Sequence, residues 1–263
     1  MGEAAEVSAG GGERGMLREL ATLTGAALTL AVVVYFGVAW VVEWTLPLIS
    51  VEREMSWFED FPVAAMEAAP TNERAEQREF ARATLAKLAV QSGVPAVAWR
   101  LELSPDGTAN AYALPGGTIV VTTGLMDVVG DDEIALAFVL GHELGHFVQR
   151  DHLRGIGRSI GRTLVWTLIF GGAGGTDLFS QRADQLLELG YSRRQESGAD
   201  EWGVRLVMAT YGSIEGSERL FEWLAERERL PAWTTLLSSH PASANRIEQL
   251  RWYAGQLSAE PSK

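Results

Sequence analysis

The sequence predicts a mainly helical fold with a small β-sheet, an α+β class, placed behind one N-terminal transmembrane helix. Three observations support this prediction. Residues 20–42 contain no charged side chain. Short runs between residues 95 and 123 alternate apolar and polar side chains, as strands do. Most of the chain beyond residue 131 instead repeats apolar residues at helical spacing. A chain of 263 residues is long enough for one sizeable domain with appended segments.

Residues 20–42 form the predicted membrane span, through which the protein would contact the lipid bilayer. A helix of these 23 residues is about 34 Å long, enough to cross a hydrocarbon core of roughly 30 Å. Trp40 and Trp44 lie at its far end, and tryptophan favours the lipid–water interface. The sequence therefore predicts a single-pass membrane protein.

The basic residues around the span predict its orientation. Arg14 and Arg18 lie just before it, whereas the first basic residue after it is Arg53. Basic residues flank membrane spans mainly on the cytoplasmic side. We therefore expect a cytoplasmic N-terminus and an extracytoplasmic domain, on the periplasmic side of a bacterial membrane.

Composition divides the chain into segments and excludes some classes of protein. The predicted segments are a disordered tail (1–19), the span (20–42), a linker (43–71), the folded domain (72–255) and a C-terminal tail (256–263). A net charge of −12 argues against a nucleic-acid partner, because phosphate contacts need clustered Lys and Arg. The chain has no cysteine, which excludes disulfides, cysteine-ligated zinc and cysteine nucleophiles.

Periodicity predicts the elements of the folded domain. The predicted helices are 72–91, 131–152, 157–170, 178–189, 193–211, 214–229 and 242–257, and the predicted strands are 95–103, 110–114 and 118–123. Asp131 or Asp132 is the expected N-cap of the second helix. The apolar run at 163–176 is too short for an ordinary span, so we expect a buried or interfacial helix there.

The motif GHELGH occupies residues 141–146 of a predicted helix. His142 and His146 are four residues apart, so both rings lie on one helical face and can bind one ion. Glu143 lies beside them, where a carboxylate can act on water. This arrangement predicts one zinc ion per chain. Gly141 and Gly145 each weaken a helix by about 1 kcal/mol relative to alanine, so their spacing indicates that another backbone packs closely there.

A catalytic zinc site needs a third protein ligand. The later segment YSRRQESGADEWGVRLV offers Glu196, Asp200 and Glu201 on one predicted helix. Glu196 and Asp200 are four residues apart, so one can bind the metal while the other supports the site. Glu201 lies on another side of that helix, where we expect solvent. Spacing alone leaves the choice between the first two open.

Four segments together resemble a known family. NAYALPGGTIVVTTGL, GHELGH, SRRQESGAD and SSHPASANRI occur here in the order and approximate spacing of the HtpX and CAAX-prenyl-protease family of membrane-associated zinc metallopeptidases. The chain is most similar to the soluble-domain branch, which includes periplasmic and Oma-type proteases. The resemblance covers about residues 72–255 and implies a zincin-like metallopeptidase domain.

The resemblance assigns roles to particular residues. It implies that His142, His146 and Glu196 are the zinc ligands and that Glu143 is the catalytic base. It also implies that Asp200 orients a ligating histidine from behind.

Two further residues are implied to be catalytic. His240 matches a histidine close to the metal, and Arg246 matches an arginine expected to bind the oxyanion or a carboxylate.

His152 also matches a family position, which we interpret as structural. Gly198 departs from the family, which often has an acid there, but that position is not expected to touch the metal.

The segment NAYALPGGTIVVTTGL predicts a hairpin beside the metal helix. We expect one of its strands to border the cleft and to pair with an extended substrate by strand addition. Gly117, Thr118, Ile119 and Val120 are the residues expected to do so.

These features predict a membrane-anchored zinc endopeptidase that hydrolyses polypeptides, with unfolded or damaged envelope proteins as the expected substrates. One alternative is a non-proteolytic chaperone or assembly factor built on the same fold, which would have less need of Glu143. Another is a multi-span protease that processes membrane-embedded substrates, which would carry more long apolar runs than this chain does.

Overall fold

The computed structural model describes residues 9–58, 72–91, 99–170, 190–218, 220–221 and 246–259. In chain order, the helices are α1 (Ala9–Thr45), α2 (Val51–Trp57), α3 (Asn72–Gln91), α4 (Thr123–Val129), α5 (Glu133–Val148), α6 (Asp151–Phe170), α7 (Arg193–Tyr211) and α8 (Arg246–Ala259), and the strands are β1 (Arg100–Ser104), β2 (Ala111–Leu114) and β3 (Thr118–Thr122). This composition confirms the predicted α+β class. Predicted helix 178–189 and most of 214–229 lie outside the described residues.

The chain forms two compact units. The first contains Met1–Thr45 and Ile156–Arg182, and the second contains Leu46–Gly155 and Ala183–Lys263. In the first unit, α1 exposes large apolar side chains such as Leu23 and Phe36. Among the described residues, it is the one helix long and apolar enough to cross a membrane. The helix begins at Ala9, so the part of the predicted disordered tail from that residue onward is helical instead.

The C-terminal part of α6 packs on α1 in the first unit. A Cβ added at Gly157 would lie 2.6 Å from Val42, and one added at Gly161 would lie 3.6 Å from Tyr35. Small residues at this spacing let two apolar helices approach closely. Trp166, in the second apolar run, remains exposed on α6. Residues 171–176 of that run lie outside the described residues.

The second unit contains the sheet, in the order β1-β3-β2, with β1 parallel and β2 antiparallel to β3. Every residue of β3 is buried. Apolar side chains from the sheet join those of α3, α4, α5, α7 and α8 in one core. The largest fully buried side chains include Leu88, Leu101, Ile119, Phe138 and Leu206.

The sheet order corrects the predicted substrate strand. Thr118, Ile119 and Val120 lie in β3, whose main-chain edges are occupied by β1 and β2. Gly117 lies in the turn before β3, and its carbonyl accepts from Arg100 N–H at 3.0 Å. These residues therefore cannot pair with a substrate. The hairpin itself was predicted correctly, but the strand on its outer side is β2.

Helix α5 starts where the sequence predicts and ends earlier. Its N-cap is Asp132, whose side chain accepts from Ala135 N–H at 3.1 Å. The predicted helix 131–152 is interrupted at Arg150, which has a φ of +61°. A left-handed residue ends a right-handed helix, and α6 begins at the next position.

The segment after the membrane helix belongs to the second unit rather than to a linker. Ser50 caps α2 by accepting from Arg53 N–H. Glu54, in the middle of this helix, is fully buried. The predicted linker 43–71 is therefore corrected over residues 46–58, which fold with this unit. At the other end, α8 continues to Ala259, into the predicted C-terminal tail.

Helices α5 and α7 pack backbone to backbone, as the two glycines of α5 predict. A Cβ on Gly141 would lie 3.1 Å from the Cα of Gly203, and a Cβ on Gly145 would lie 2.9 Å from the Cα of Ala199. Neither position leaves room for a side chain without moving one helix.

We expect Gly145→Ala to destabilise the protein, even though alanine favours helices. The added methyl meets the backbone of α7, and such overpacking costs about 1–3 kcal/mol. Gly255→Ala, in α8, is the matched control because its Cβ would enter open space. That change should stabilise the helix by up to about 1 kcal/mol. Thermal unfolding of the detergent-solubilised full chain measures both, and equal shifts in Tm would contradict the close approach.

Candidate metal centre

Three buried side chains from two helices converge on one point. His142 and His146 come from α5 and Glu196 from the first turn of α7. The two His Nε2 atoms are 3.1 Å apart. The Glu196 carboxylate lies 3.5 Å from the His142 Nε2 and 3.4 Å from that of His146. All candidate ligand atoms lie within 4.8 Å of one another, so this group could hold a metal ion.

Carboxylates behind both histidines fix which ring nitrogen faces the centre. His142 Nδ1 lies 2.9 Å from Asp200 Oδ1, and His146 Nδ1 lies 3.0 Å from Asp151 Oδ2. A proton held at Nδ1 by a carboxylate leaves the Nε2 lone pair for a metal. Two nitrogen donors and one carboxylate are the donor set of a catalytic zinc site. The residues present therefore fit zinc.

A capping box positions the start of α7. The Ser192 side chain accepts from Gln195 N–H, and the Gln195 side chain accepts from Ser192 N–H at 3.0 Å. This reciprocal pair satisfies two N–H groups that the helix leaves free. The same Gln195 donates its Nε2–H to Asp151 at 2.7 Å. The cap thus ties the turn before Glu196 to the carboxylate behind His146.

Arg246 pairs with the carboxylate of Asp200. Its Nε and Nη2 donate to the two oxygens of Asp200, at 2.9 and 2.7 Å. The guanidinium is buried and lies over the ring of Phe221, with its carbon 4.7 Å from the ring centre. This bidentate pair fixes the Asp200 carboxylate, which in turn bonds His142. The Arg246 Nη2 also lies 3.6 Å from Glu196 Oε2. The role of Arg246 at an oxyanion stays a prediction.

Glu143 faces the outer strand of the sheet. Its Oε2 accepts a hydrogen bond from the main-chain N–H of Ala113, in β2, at 3.0 Å. The side chain is buried on the same helix as both histidines. A carboxylate held this way has a fixed orientation next to the group that could hold a metal.

The site carries more negative than positive charge. The carboxyls of Glu143, Asp151, Glu196 and Asp200 are all buried, and Arg246 lies among them. Burial lowers the pKa of His146, but hydrogen bonds to two of these carboxyls, Asp151 and then Glu196, outweigh it and raise the pKa to about 9. A cation is therefore favoured at this point, whether a proton or a metal ion.

The structure separates the other sequence candidates. Glu201 is exposed and pairs with Arg205 at 3.1 Å, as predicted for a solvated position. His152 is buried and contacts Glu54, which fits the structural role given to it. His240 lies outside the described residues.

Two residues at the site were missed by the sequence analysis. Asp151 bonds His146, and the feature of the sequence that could have indicated it is the presence of an acid just after the helix with the GHELGH motif. The ring of Tyr191 stacks on His146 with centroids 3.8 Å apart. No pattern in the sequence indicates that contact, because the ring arrives from a distant part of the chain.

Comparison with known proteins agrees with this geometry. The model of peptidase family M48 matches residues 75–254, so the chain belongs to that family. The match confirms the resemblance on which the assignment of roles was based. The matched residues include the sheet, α5 and α7, whereas α1 and α2 precede them.

Several curated metalloproteases are similar to the chain. Mitochondrial metalloendopeptidase OMA1 of Schizosaccharomyces pombe is 29% identical over 171 residues, which cover 63% of this chain and 50% of the relative. Metalloprotease LoiP of Escherichia coli is 31% identical over 147 residues, covering 54% and 57%. Metalloprotease YcaL of Escherichia coli is 30% identical over 165 residues, covering 61% and 63%. The chain thus spans between 50% and 63% of the length of these relatives.

We expect each of His142→Ala, His146→Ala and Glu196→Ala to reduce zinc binding by the purified full chain strongly, because each removes one of three donors. Glu201→Ala is the matched control, since Glu201 lies on the same helix as Glu196 but is exposed. Zinc content per chain is measured by elemental analysis after dialysis. Loss of the metal in Glu201→Ala with retention in Glu196→Ala would contradict the assigned donor set.

We expect Asp151→Asn to weaken zinc affinity by about 10–100-fold, the range for residues that orient a ligating histidine. The amide loses the charge that holds the Nδ1 proton of His146. Asp127→Asn removes an exposed acid paired with Arg74 and should leave the affinity unchanged. Competition with a chromogenic chelator measures both, and equal affinities in the two variants would be inconsistent with the contact.

Proposed function

We propose that the protein is a membrane-anchored zinc endopeptidase that hydrolyses peptide bonds. The observation that carries this proposal is the convergence of His142, His146 and Glu196 around one point, with Glu143 beside them on α5. Family membership and the metalloprotease relatives support the same activity. One zinc ion per chain, held by these three side chains, is the cofactor.

The chemistry divides between the cofactor and the chain. A zinc ion held here supplies the Lewis acid that polarises a peptide carbonyl and acidifies water. Glu143 accepts the proton of the attacking water and delivers it to the nitrogen of the leaving amine, so that the base is regenerated. The N–H of Ala113 holds that carboxylate in place throughout.

Substrate binds, in this proposal, along the outer edge of β2. Antiparallel pairing with β3 turns alternate residues of β2 outward. The outward N–H groups of Ala111 and Ala113 already bond the side chains of Asn110 and Glu143, so the peptide would pair with the outward carbonyls of these residues. An extended peptide beside this strand would pass Glu143. Recognition through main-chain groups reads little of the side-chain sequence. That property suits unfolded or damaged envelope proteins as the substrate class.

His240 is proposed to approach the open position of the metal from the loop before α8. The proposal is supported by the sequence, in which the neighbouring Pro241 disfavours a helical backbone at position 240. In that place it would either fill the position at rest or donate to the oxyanion.

We expect Glu143→Gln to retain zinc and to lose hydrolysis of an unfolded protein such as casein by about 10²–10⁴-fold, the contribution of a general base. The amide keeps the size of the side chain and cannot accept a proton. Arg205→Gln, an exposed change on α7, is the control and should retain full activity. A zinc-loaded Glu143→Gln protein with near-normal turnover would rule out the mechanism and favour a non-proteolytic function.

The membrane anchor is proposed to hold the peptidase on the extracytoplasmic side. Support comes from the apolar helix α1 and from Arg14 and Arg18 at its N-terminal end. Trp40 and Trp44 stack at the other end, with ring centres 6.4 Å apart, as interfacial aromatics do.

We expect a reporter enzyme that is active only after export to be active when fused after Lys263. A cysteine introduced at position 8 should be protected from membrane-impermeant thiol reagents in intact cells. Because the natural chain has no cysteine, the labelling has no background within this protein. Labelling at position 8 together with an inactive reporter would place the peptidase in the cytoplasm.

A further inference from the structure

A buried acid lies in the segment that follows the membrane helix. Glu54, on α2, has no exposed surface although its residue type is among the least often buried. One carboxylate oxygen bonds the Arg150 guanidinium, and the other lies 2.6 Å from His152 Nε2. The second oxygen also accepts from Gly116 N–H at 3.4 Å. One short side chain therefore joins two distant parts of the second unit.

The first of these parts is the turn between α5 and α6. Arg150 and His152 flank Asp151, whose carboxylate holds the ligand His146. Arg150 adopts the left-handed conformation that makes the turn, and its Nη2 also donates to the carbonyl of Ile49 at 3.1 Å. Contacts on both sides of Asp151 thus originate in residues 49–54.

His152, which contacts Glu54, also packs against α5. Its ring stacks on Phe147, the residue after His146, with centroids 4.8 Å apart and planes 10° from parallel. Burial, with the charge of Arg150 as a further cause, lowers the pKa of His152 to about 3. Arg150 supplies a positive charge beside the same Glu54 carboxylate.

The second part is the turn between β2 and β3. Gly116 has a φ of +81°, and a Cβ there would lie 3.0 Å from both the Cβ and the carbonyl oxygen of Phe58, just after α2. The turn follows β2, the strand whose Ala113 holds Glu143. Helix α2 therefore contacts the supports of both a ligand and the catalytic base.

We infer that Glu54 is a positioning residue for the metal centre, and that α2 is a brace that keeps Asp151 and β2 in register with α5. The inference rests on the proposed zinc site. It concerns a segment that precedes the part of the chain matched by the family, residues 75–254. Removal of the Glu54 carboxylate would leave Arg150 without this partner, so the positions of the two groups depend on each other.

The test compares Glu54→Gln and Glu54→Ala with wild type in the detergent-solubilised full chain. We expect zinc affinity, measured by chelator competition, to fall by about 10-fold in Glu54→Gln, the lower end of the range for supporting residues, and further in Glu54→Ala. The glutamine keeps an acceptor for His152 but loses the charge that pairs with Arg150. With casein, kcat should fall more than KM rises, because the residue lies away from the substrate edge.

Cobalt substitution separates positioning from simple stabilisation. The visible spectrum of the Co²⁺-loaded protein reports the geometry of the ligands and should change in both Glu54 variants. Arg53→Gln is the control, since Arg53 is the exposed neighbour of Glu54 on the same helix, and it should behave as wild type. A lowered Tm with wild-type zinc affinity and an unchanged cobalt spectrum would overturn the inference.

A double-mutant cycle identifies the route. If Glu54 acts through the turn that carries Asp151, Glu54→Gln should weaken zinc binding less in an Asp151→Asn background than alone. Fully additive losses would overturn that route. Should Glu54→Ala fail to fold, the comparison of Glu54→Gln with Arg53→Gln decides the matter. Failure of the wild-type chain to bind zinc would instead refute the proposed function itself.

Discussion

Helices α5 and α7 meet through their backbones, because Gly141 faces Gly203 and Gly145 faces Ala199 at contact distance. This close approach lets a short carboxylate on one helix reach the two imidazoles on the other. Larger residues at these positions would separate the axes toward the usual 8–10 Å or more, and the donors would no longer share one point. Helix α5 therefore contains two poor helix formers, and their lack of a side chain is what allows α7 to approach closely.

That proximity has an electrostatic cost, since it gathers several acids whose side chains are buried. Two of these acids are held by polar partners: Asp200 by Arg246 and the ring of His142, and Asp151 by Gln195 and the ring of His146. Both oxygens of each of these two carboxylates thus have a hydrogen-bond partner, as a buried charge requires.

The sequence predicted those parts of the site that local spacing determines. Two histidines one helical turn apart face one way whatever surrounds them, so His142 and His146 followed from the motif alone. The conformation of Arg150 could not be predicted from the motif, because its side chain contacts Glu54 and Ile49, about a hundred positions earlier in the chain. The strand order was not predicted either. Nothing in the run that forms β3 indicates that β1 and β2 lie on its two sides, which leaves β2 at an edge of the sheet. The ring of Tyr191 reaches His146 only after folding.

The bond between Ala113 and Glu143 is made by a main-chain amide rather than by a side chain. Any residue except proline supplies the same N–H at that position. The orientation of the Glu143 carboxylate therefore does not depend on the kind of side chain at position 113. Any replacement small enough for that buried position would keep the bond, whereas proline alone would remove it whatever its size.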